Sequence, residues 1–277
     1  MPVDGSPASV WRRKSDFTPE KERGRFSESD VKSNNGTVVN ESIRGRKRMK
    51  IYCMSDIHGC LAEFEEALSR IEDRLESEDT RLVLLGDYIH GRQDGRYVLD
   101  KIMELQYKYG RDKVVALMGN HEEFVLLGYS TIAEMNPTYS EEQEADDDKY
   151  IRWIENLPRY YTEGNTIFVH AGIDEEAGDL WEWGTGEETF VGKFPAQTGK
   201  IEGIESKVVA GHVGTSDISG DPGYHDIYYD GASHYYIDGT VLSSGVIPIL
   251  MVDTDTDKYY RVTESGNWLI LPYDEEN

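Results

Sequence analysis

Five short apolar runs in this chain stop in the same way, and that shared ending limits what it can fold into. "IYCMSD" runs into Asp56 and, two residues on, His58; "RLVLLG" runs into Asp87; "KVVALMG" into Asn120; "TIFV" into His170; and "KVVAG" into His212. Any one of these endings is an ordinary polar turn. Five together are a pattern: each run has the length and β-branched content of a buried strand, and each ends in a side chain able to bind a metal, most of them beside a glycine.

Between the strand-like runs lie helical patterns, so the chain reads as a layered α/β fold. "LAEFEEALSRIEDRLE" spaces Leu61, Phe64, Leu68, Ile71 and Leu75 for one helix face, and "RYVLDKIMELQYKYG" repeats the pattern before a glycine stop at Gly110. Residues 124–158 read as a helical insertion interrupted by an acidic loop, "SEEQEADDD". After His212, "HDIYYDGASHYYIDGT" and "IPILMVDTDTDKYYRV" each place two aromatic or apolar runs around a short turn, which predicts antiparallel hairpins. "DTDTD" lacks the glycine and distal glutamate of a calcium loop and reads as a plain turn.

Charge separates the chain into two parts. Of 29 Lys and Arg and 53 Asp and Glu, residues 1–49 hold eleven and seven, leaving eighteen against forty-six. Residues 1–48 lack apolar periodicity and end in "RGRKR"; we expect a disordered basic extension there, with Met49 as a natural start or the extension as a genuine tail both open. The acidic remainder repels a phosphate backbone, so nucleic acid is not an expected partner. No apolar run approaches bilayer-spanning length and the first twenty residues lack a signal-peptide core, so no membrane partner is expected and the expected compartment is the cytoplasm. Cys53 and Cys60 are too few for a disulfide framework or a zinc cage and are expected reduced.

In an open α/β sheet, ligands bind in the crevice beyond the carboxyl ends of the strands, so five such termini bring Asp56, His58, Asp87, Asn120, His170 and His212 to one place. Asp56 and His58, two apart in an extended segment, would share one ion. Oxygens mixed with imidazoles suit manganese, iron or zinc, whereas calcium takes oxygens only. Six donors exceed what one catalytic ion with an open position needs. They fit two divalent or trivalent ions about 3.5–4 Å apart, manganese first, sharing one carboxylate.

In order and separation, "SDIHG", "GDYIHGR", "GNHEE", "HAG" and "AGH" resemble the motifs of the calcineurin-like metallophosphoesterases, and within them the phosphoprotein phosphatase family with its bacterial members. The resemblance spans about residues 49–215. It implies a metallophosphoesterase domain over 49–277, with a four-layer α/β/β/α sandwich of two mixed sheets flanked by helices. It also implies that Asp56, His58 and Asp87 hold one metal, and that Asp87, Asn120, His170 and His212 hold the other, with Asp87 bridging. His121 would protonate the leaving group, and a hydroxide held between the ions would attack phosphorus directly, without a phosphoenzyme.

The chain departs from that pattern in two places. His90 stands where an aspartate usually pairs with the proton-donating histidine, so His121 is expected to donate less well or from a different arrangement, and the phosphate-clamping arginine has moved by one, to Arg92. No arginine lies between His170 and His212, which leaves Lys193 as the candidate replacement, so the expected phosphate contacts are Arg92, Asn120 and Lys193. His225 and His234 fall outside the strand-end pattern and read as surface or packing residues.

The function expected from these residues is metal-dependent hydrolysis of phosphomonoesters, first of phosphoserine or phosphothreonine proteins. A dinucleoside polyphosphate or other small phosphorylated metabolite is the alternative substrate. A metal- or phosphate-binding regulatory protein weakened in catalysis is the second alternative. Oligomeric state is open.

Overall fold

The computed structural model describes residues 48–133 and 141–276. The extension expected over 1–48 therefore lies outside the described residues, except Arg48. Two sheets form the centre. The first has six strands: β1 (Lys50–Met54), β2 (Thr80–Leu84), β3 (Val114–Ala116), β9 (Leu250–Asp253), β10 (Lys258–Thr263) and β11 (Gly266–Leu269), in the spatial order β11-β10-β9-β1-β2-β3. The second has five: β4 (Tyr160–Glu163), β5 (Thr166–Val169), β6 (Lys207–Ala210), β7 (Tyr228–Tyr229) and β8 (His234–Tyr236), ordered β4-β5-β6-β8-β7. Both sheets are mixed, as the resemblance implies.

Side-chain alternation along the strands builds the layers. Ile51 and Cys53 on β1, Val83 on β2 and Val115 on β3 pack with Phe168, Val209 and Tyr235 of the other sheet, forming the core between the sheets. The intervening residues Tyr52, Met54, Leu82, Leu84 and Val114 pack on the opposite face against α1 (Leu61–Ser69) and α2 (Gly95–Tyr109). Strands buried on both faces read as continuous apolar runs, which is how these appear in the sequence. On the outer face of the second sheet, Ile167, Val169 and Val208 share a cluster with Phe190 and Val191 of α6 (Glu187–Gly192).

The two expected helices are present, although the first ends at Ser69 and a separate 3-10 turn carries Glu72–Glu76. Gly110 closes α2 with φ +98°, a conformation open to glycine. The acidic stretch expected as a loop instead begins a helix, α4 (Glu141–Ile154). Acidic residues are favoured in the first turns of a helix by its dipole, and Tyr150, Trp153 and Ile154 supply a buried face at its other end. Both predicted hairpins form, β7 with β8 and β9 with β10. β8 has a second partner that local alternation does not reveal: it lies parallel to β6, with Val208 opposite His234. Both cysteines are free and buried. Among the described residues no helix is long and apolar enough to cross a membrane.

Candidate metal centre

All six strand-end residues meet where the carboxyl ends of β1, β2, β3, β5 and β6 come together. Backbone hydrogen bonds join their loops: Asp56 N donates to Gly86 O, His58 N to Asp87 O at 2.9 Å, and Gly211 N to His170 O at 2.7 Å. His212 N, from the second sheet, donates to both carboxylate oxygens of Asp56, from the first, at 3.2 and 3.0 Å. The site therefore ties the two sheets together.

Asp56, His58, Asp87, His90 and His212 all have positive φ, between +49° and +64°. The expectation that Asp56 and His58 share an extended segment is corrected here, because both sit in left-handed turns. Asp tolerates that region better than most residues, yet each such residue costs of order 1 kcal/mol, and clusters of them mark functional sites. Close approach restricts the neighbours as well. A Cβ on Gly119 would run into the Asp87 backbone and carboxylate, and one on Gly211 into Asp56 and Ser55.

Two groups of side chains could each hold an ion, and Asp87 belongs to both: His58, Asp87 and His121 form one, and Asp87, His170 and His212 the other. His58 Nδ1 faces the His90 carbonyl at 3.1 Å, which makes it the donor and leaves the Nε2 lone pair aimed at Asp56 Oδ1 (3.9 Å) and Asp87 Oδ2 (3.8 Å). Asn120 Oδ1 lies 2.9 Å from His170 Nε2 and 3.1 Å from His212 Nδ1, and His170 Nε2 lies 3.4 Å from Asp87 Oδ1. Lone pairs converging in this way are stable around a cation, or with the amide turned so that its NH2 faces them. The donor set thus fits metal ions.

The electrostatics agree. Burial lifts Asp56 to about 7, and burial followed by the charges of Glu122 and Asp56 holds Asp87 well above the usual carboxylate range. Burial pushes His170 well down, helped by His212, and pushes His212 down as well. A pocket that disfavours both carboxylate anions and imidazolium cations is one that a divalent ion would stabilise.

Two residues without a role in the sequence reading help build the centre. Glu122 is fully buried. Its carboxylate accepts from Asp87 N and Tyr88 N at 2.8 Å each, and from Gly119 N at 3.1 Å, so it holds the loop that carries the shared aspartate. Asp238 follows β8 as Asp87 follows β2; it is buried, accepts from Thr240 N, and is raised to about 8 by burial and then by Asp56. The signal was "YYIDG", another apolar run ending in a carboxylate and a glycine.

His121 N donates to Asp87 Oδ1 at 3.0 Å, and its ring lies 4.9 Å from that of His58. His90 Nδ1 meets His121 Nδ1 at 2.9 Å. Burial, then His58, His90 and His212, push His121 down to about 3. Of the phosphate candidates, Arg92 adjoins the centre through its backbone, whose N–H donates to His58 O at 2.9 Å. Arg92 is half exposed and paired with Glu63 at 2.7 Å. Lys193 donates to the Ile173 carbonyl at 2.7 Å and forms an ion pair with Glu175, which accounts for its charge without a phosphate. His225 meets Thr240 Oγ1 at 2.8 Å. His234 is buried as a packing residue would be, but it lies between two carboxylates, Asp230 at 3.0 Å and Glu175 at 3.4 Å.

A two-sheet sandwich that gathers buried carboxylates and imidazoles at its strand ends defines the class of dinuclear metallohydrolases. The chain belongs to the calcineurin-like phosphoesterase family, whose model matches residues 49–243. It is 30% identical over 128 residues to a symmetrical bis(5'-nucleosyl)-tetraphosphatase of Nitrosospira multiformis, covering 45% of this chain and 44% of that one. It is 29% identical over 174 residues to one of Acidovorax sp. strain JS42, covering 59% and 54%. The chain spans about half the length of these curated relatives. Among solved structures, a cold-active protein tyrosine phosphatase superposes with TM-score 0.55 at 16% identity, over 82% of this chain and 80% of that one. The cold-active protein-tyrosine phosphatase of a psychrophilic Shewanella superposes with TM-score 0.52 at 15% identity, over 82% and 81%. That likeness is one of fold.

Proposed function

We propose that this chain is a two-metal phosphohydrolase acting on small phosphorylated nucleotides of the dinucleoside tetraphosphate kind. The observation that carries the metal chemistry is the pair of side-chain clusters sharing Asp87. The relatives named as symmetrical tetraphosphatases support the nucleotide substrate over the phosphoprotein expected first. The protein phosphatase likeness is one of fold, and a fold hosts many substrates.

In this reading Asp56, whose Oδ1 lies 3.9 Å from His58 Nε2, takes the place of His121 beside His58 and Asp87 around one ion, which leaves His121 for proton donation. Asp87, Asn120, His170 and His212 hold the other. The ions, when bound, lower the pKa of water toward neutrality and draw charge from the phosphoryl oxygens. Manganese is assigned first, with iron or zinc as alternatives for the same donors. The residues of the chain do the rest. The left-handed turns and Glu122 hold the donors in place before substrate arrives, so little reorganisation is needed in the reaction. His121, whose Nε2 lies 3.8 Å from Asp87 Oδ2, is the group the family resemblance makes the proton donor to the leaving oxygen. Donating through Nε2 requires an imidazolium, and burial with the neighbouring imidazoles pushes the His121 pKa down to about 3. Its extra proton therefore has to be drawn in by the negative charge of the substrate, against a neutral His90 ring rather than a carboxylate. Arg92, at the rim, exchanges Glu63 for a substrate phosphate.

The test compares turnover of diadenosine tetraphosphate, a phosphothreonine peptide and p-nitrophenyl phosphate with added manganese, iron or zinc. The proposal expects the tetraphosphate to give the highest kcat/KM. A phosphopeptide preferred tenfold or more would restore the protein phosphatase reading, and no turnover with any metal would favour the regulatory binding role.

A further inference from the structure

We infer that Phe124 and Tyr129 form a stacking platform for the nucleobase of the departing nucleotide. This inference rests on the nucleotide reading above. The two rings step outward from the metal centre: Phe124 lies 5.8 Å from the His121 ring, and Tyr129 lies 6.4 Å from Phe124. His121 and Phe124, three apart on α3 (Asn120–Leu126), share a helix face. Tyr129 is 64% exposed although most aromatic rings near the core are buried, and Leu127 beside it is 56% exposed. The exposed Tyr129 ring, in contact with a ring that itself touches His121, leaves a π face open to a ligand there.

The platform is built into the catalytic framework. Tyr129 N donates to the Phe124 carbonyl at 2.8 Å, and Gly128, at φ +73°, makes the turn that brings the second ring to the first. Two residues later the Thr131 carbonyl lies 2.6 Å from His90 Nε2, so one short segment both seats Tyr129 and holds the ring that contacts His121. If the leaving nucleoside diphosphate takes its proton from His121, its base, beyond its phosphates, would come within reach of the rings that follow His121. Stacking suits any base, because each has a π face and needs no charge from an acidic protein. The platform therefore selects nucleotides over simple phosphate esters without reading the base.

The test uses p-nitrophenyl phosphate with manganese as the reporter and measures competitive inhibition by ADP and by inorganic phosphate, in wild type, Tyr129→Ala and Tyr129→Trp. In Tyr129→Ala the ratio of the ADP to the phosphate inhibition constant should rise about tenfold, the order expected from losing one base–aromatic stack, and Tyr129→Trp should keep it near the wild-type value. A ratio unchanged in Tyr129→Ala would overturn the platform. The substrate reading fails separately: a wild type that hydrolyses p-nitrophenyl phosphate but not diadenosine tetraphosphate would remove the dinucleotide, while the ADP ratio would still decide the base contact.

Discussion

His90 and His121 meet nitrogen to nitrogen, Nδ1 to Nδ1 at 2.9 Å, while the other nitrogen of His90 lies 2.6 Å from the Thr131 carbonyl. A carbonyl only accepts, so His90 Nε2 carries the proton. Burial lowers the His90 pKa, which favours the neutral ring, and a neutral ring protonated at Nε2 accepts at Nδ1. His121 must then donate from Nδ1, which leaves its Nε2 lone pair facing Asp87 Oδ2 at 3.8 Å. The histidine at position 90 thus selects the same tautomer that an aspartate would, without contributing a negative charge. His90→Ala should lower kcat about ten- to a hundredfold with KM little changed, because it removes the group that orients the His121 ring. His90→Asp, which restores an acceptor, should preserve turnover or raise it. A hundredfold fall in His90→Asp would show that the bond to Thr131 matters as much as the one to His121.

Glu122 satisfies three backbone N–H groups with one buried carboxylate. Glu122→Ala leaves those donors without partners and should destabilise the fold by about 3 kcal/mol or more, measured by urea denaturation. Its kcat should fall further than stability explains, since Asp87 loses its support. A variant with normal kcat would mean that the Asp87 loop holds its shape unaided.

Lys193 offers a clean separation of two roles. Its partners, Glu175 and the Ile173 carbonyl, predict that Lys193→Met lowers the melting temperature by the loss of charge-assisted bonds and leaves KM for the tetraphosphate near the wild-type value. A tenfold rise in KM with unchanged melting would instead make it a phosphate ligand.

The buried His234 gives stability a pH dependence. Burial alone would push its pKa down, but hydrogen bonds and charge from Asp230 and Glu175 raise it above the ordinary 6.5. A raised folded-state pKa stabilises fully below about 6.5 and loses that stabilisation as pH climbs through the higher folded value. The difference in melting temperature between wild type and His234→Gln should therefore be largest near pH 6 and shrink toward pH 9. A difference that grows with pH would mean that the ring is neutral in the folded protein.

Much of the centre was legible because its donors sit at strand ends, where apolar runs break visibly, as at Asp87 and His170. What the spacing could not show was conformation. "SDIHG" reads as an extended segment, whereas Asp56 and His58 have φ of +54° and +49° and owe their approach to consecutive turns. Asp238 was missed for a different reason. Its strand pairs locally with β7, which alternation reveals, and distantly with β6, which only the folded sheet reveals. Lys193 shows a third limit: residue type suggested a phosphate contact, while its ion pair with Glu175, eighteen positions away, shows only in the fold. The acidic run that begins α4 reads as a loop on charge alone, and the buried Tyr150, Trp153 and Ile154 that follow it supply the apolar face of a helix.

Everything proposed for the chemistry depends on Asp87 serving two ions at once. Anomalous diffraction from crystals grown with manganese tests this directly. The account predicts two peaks about 3.5–4 Å apart with an Asp87 oxygen reaching both, and in Asp87→Asn the loss of at least one. A single peak, or two peaks that remain at full height in Asp87→Asn, would contradict it.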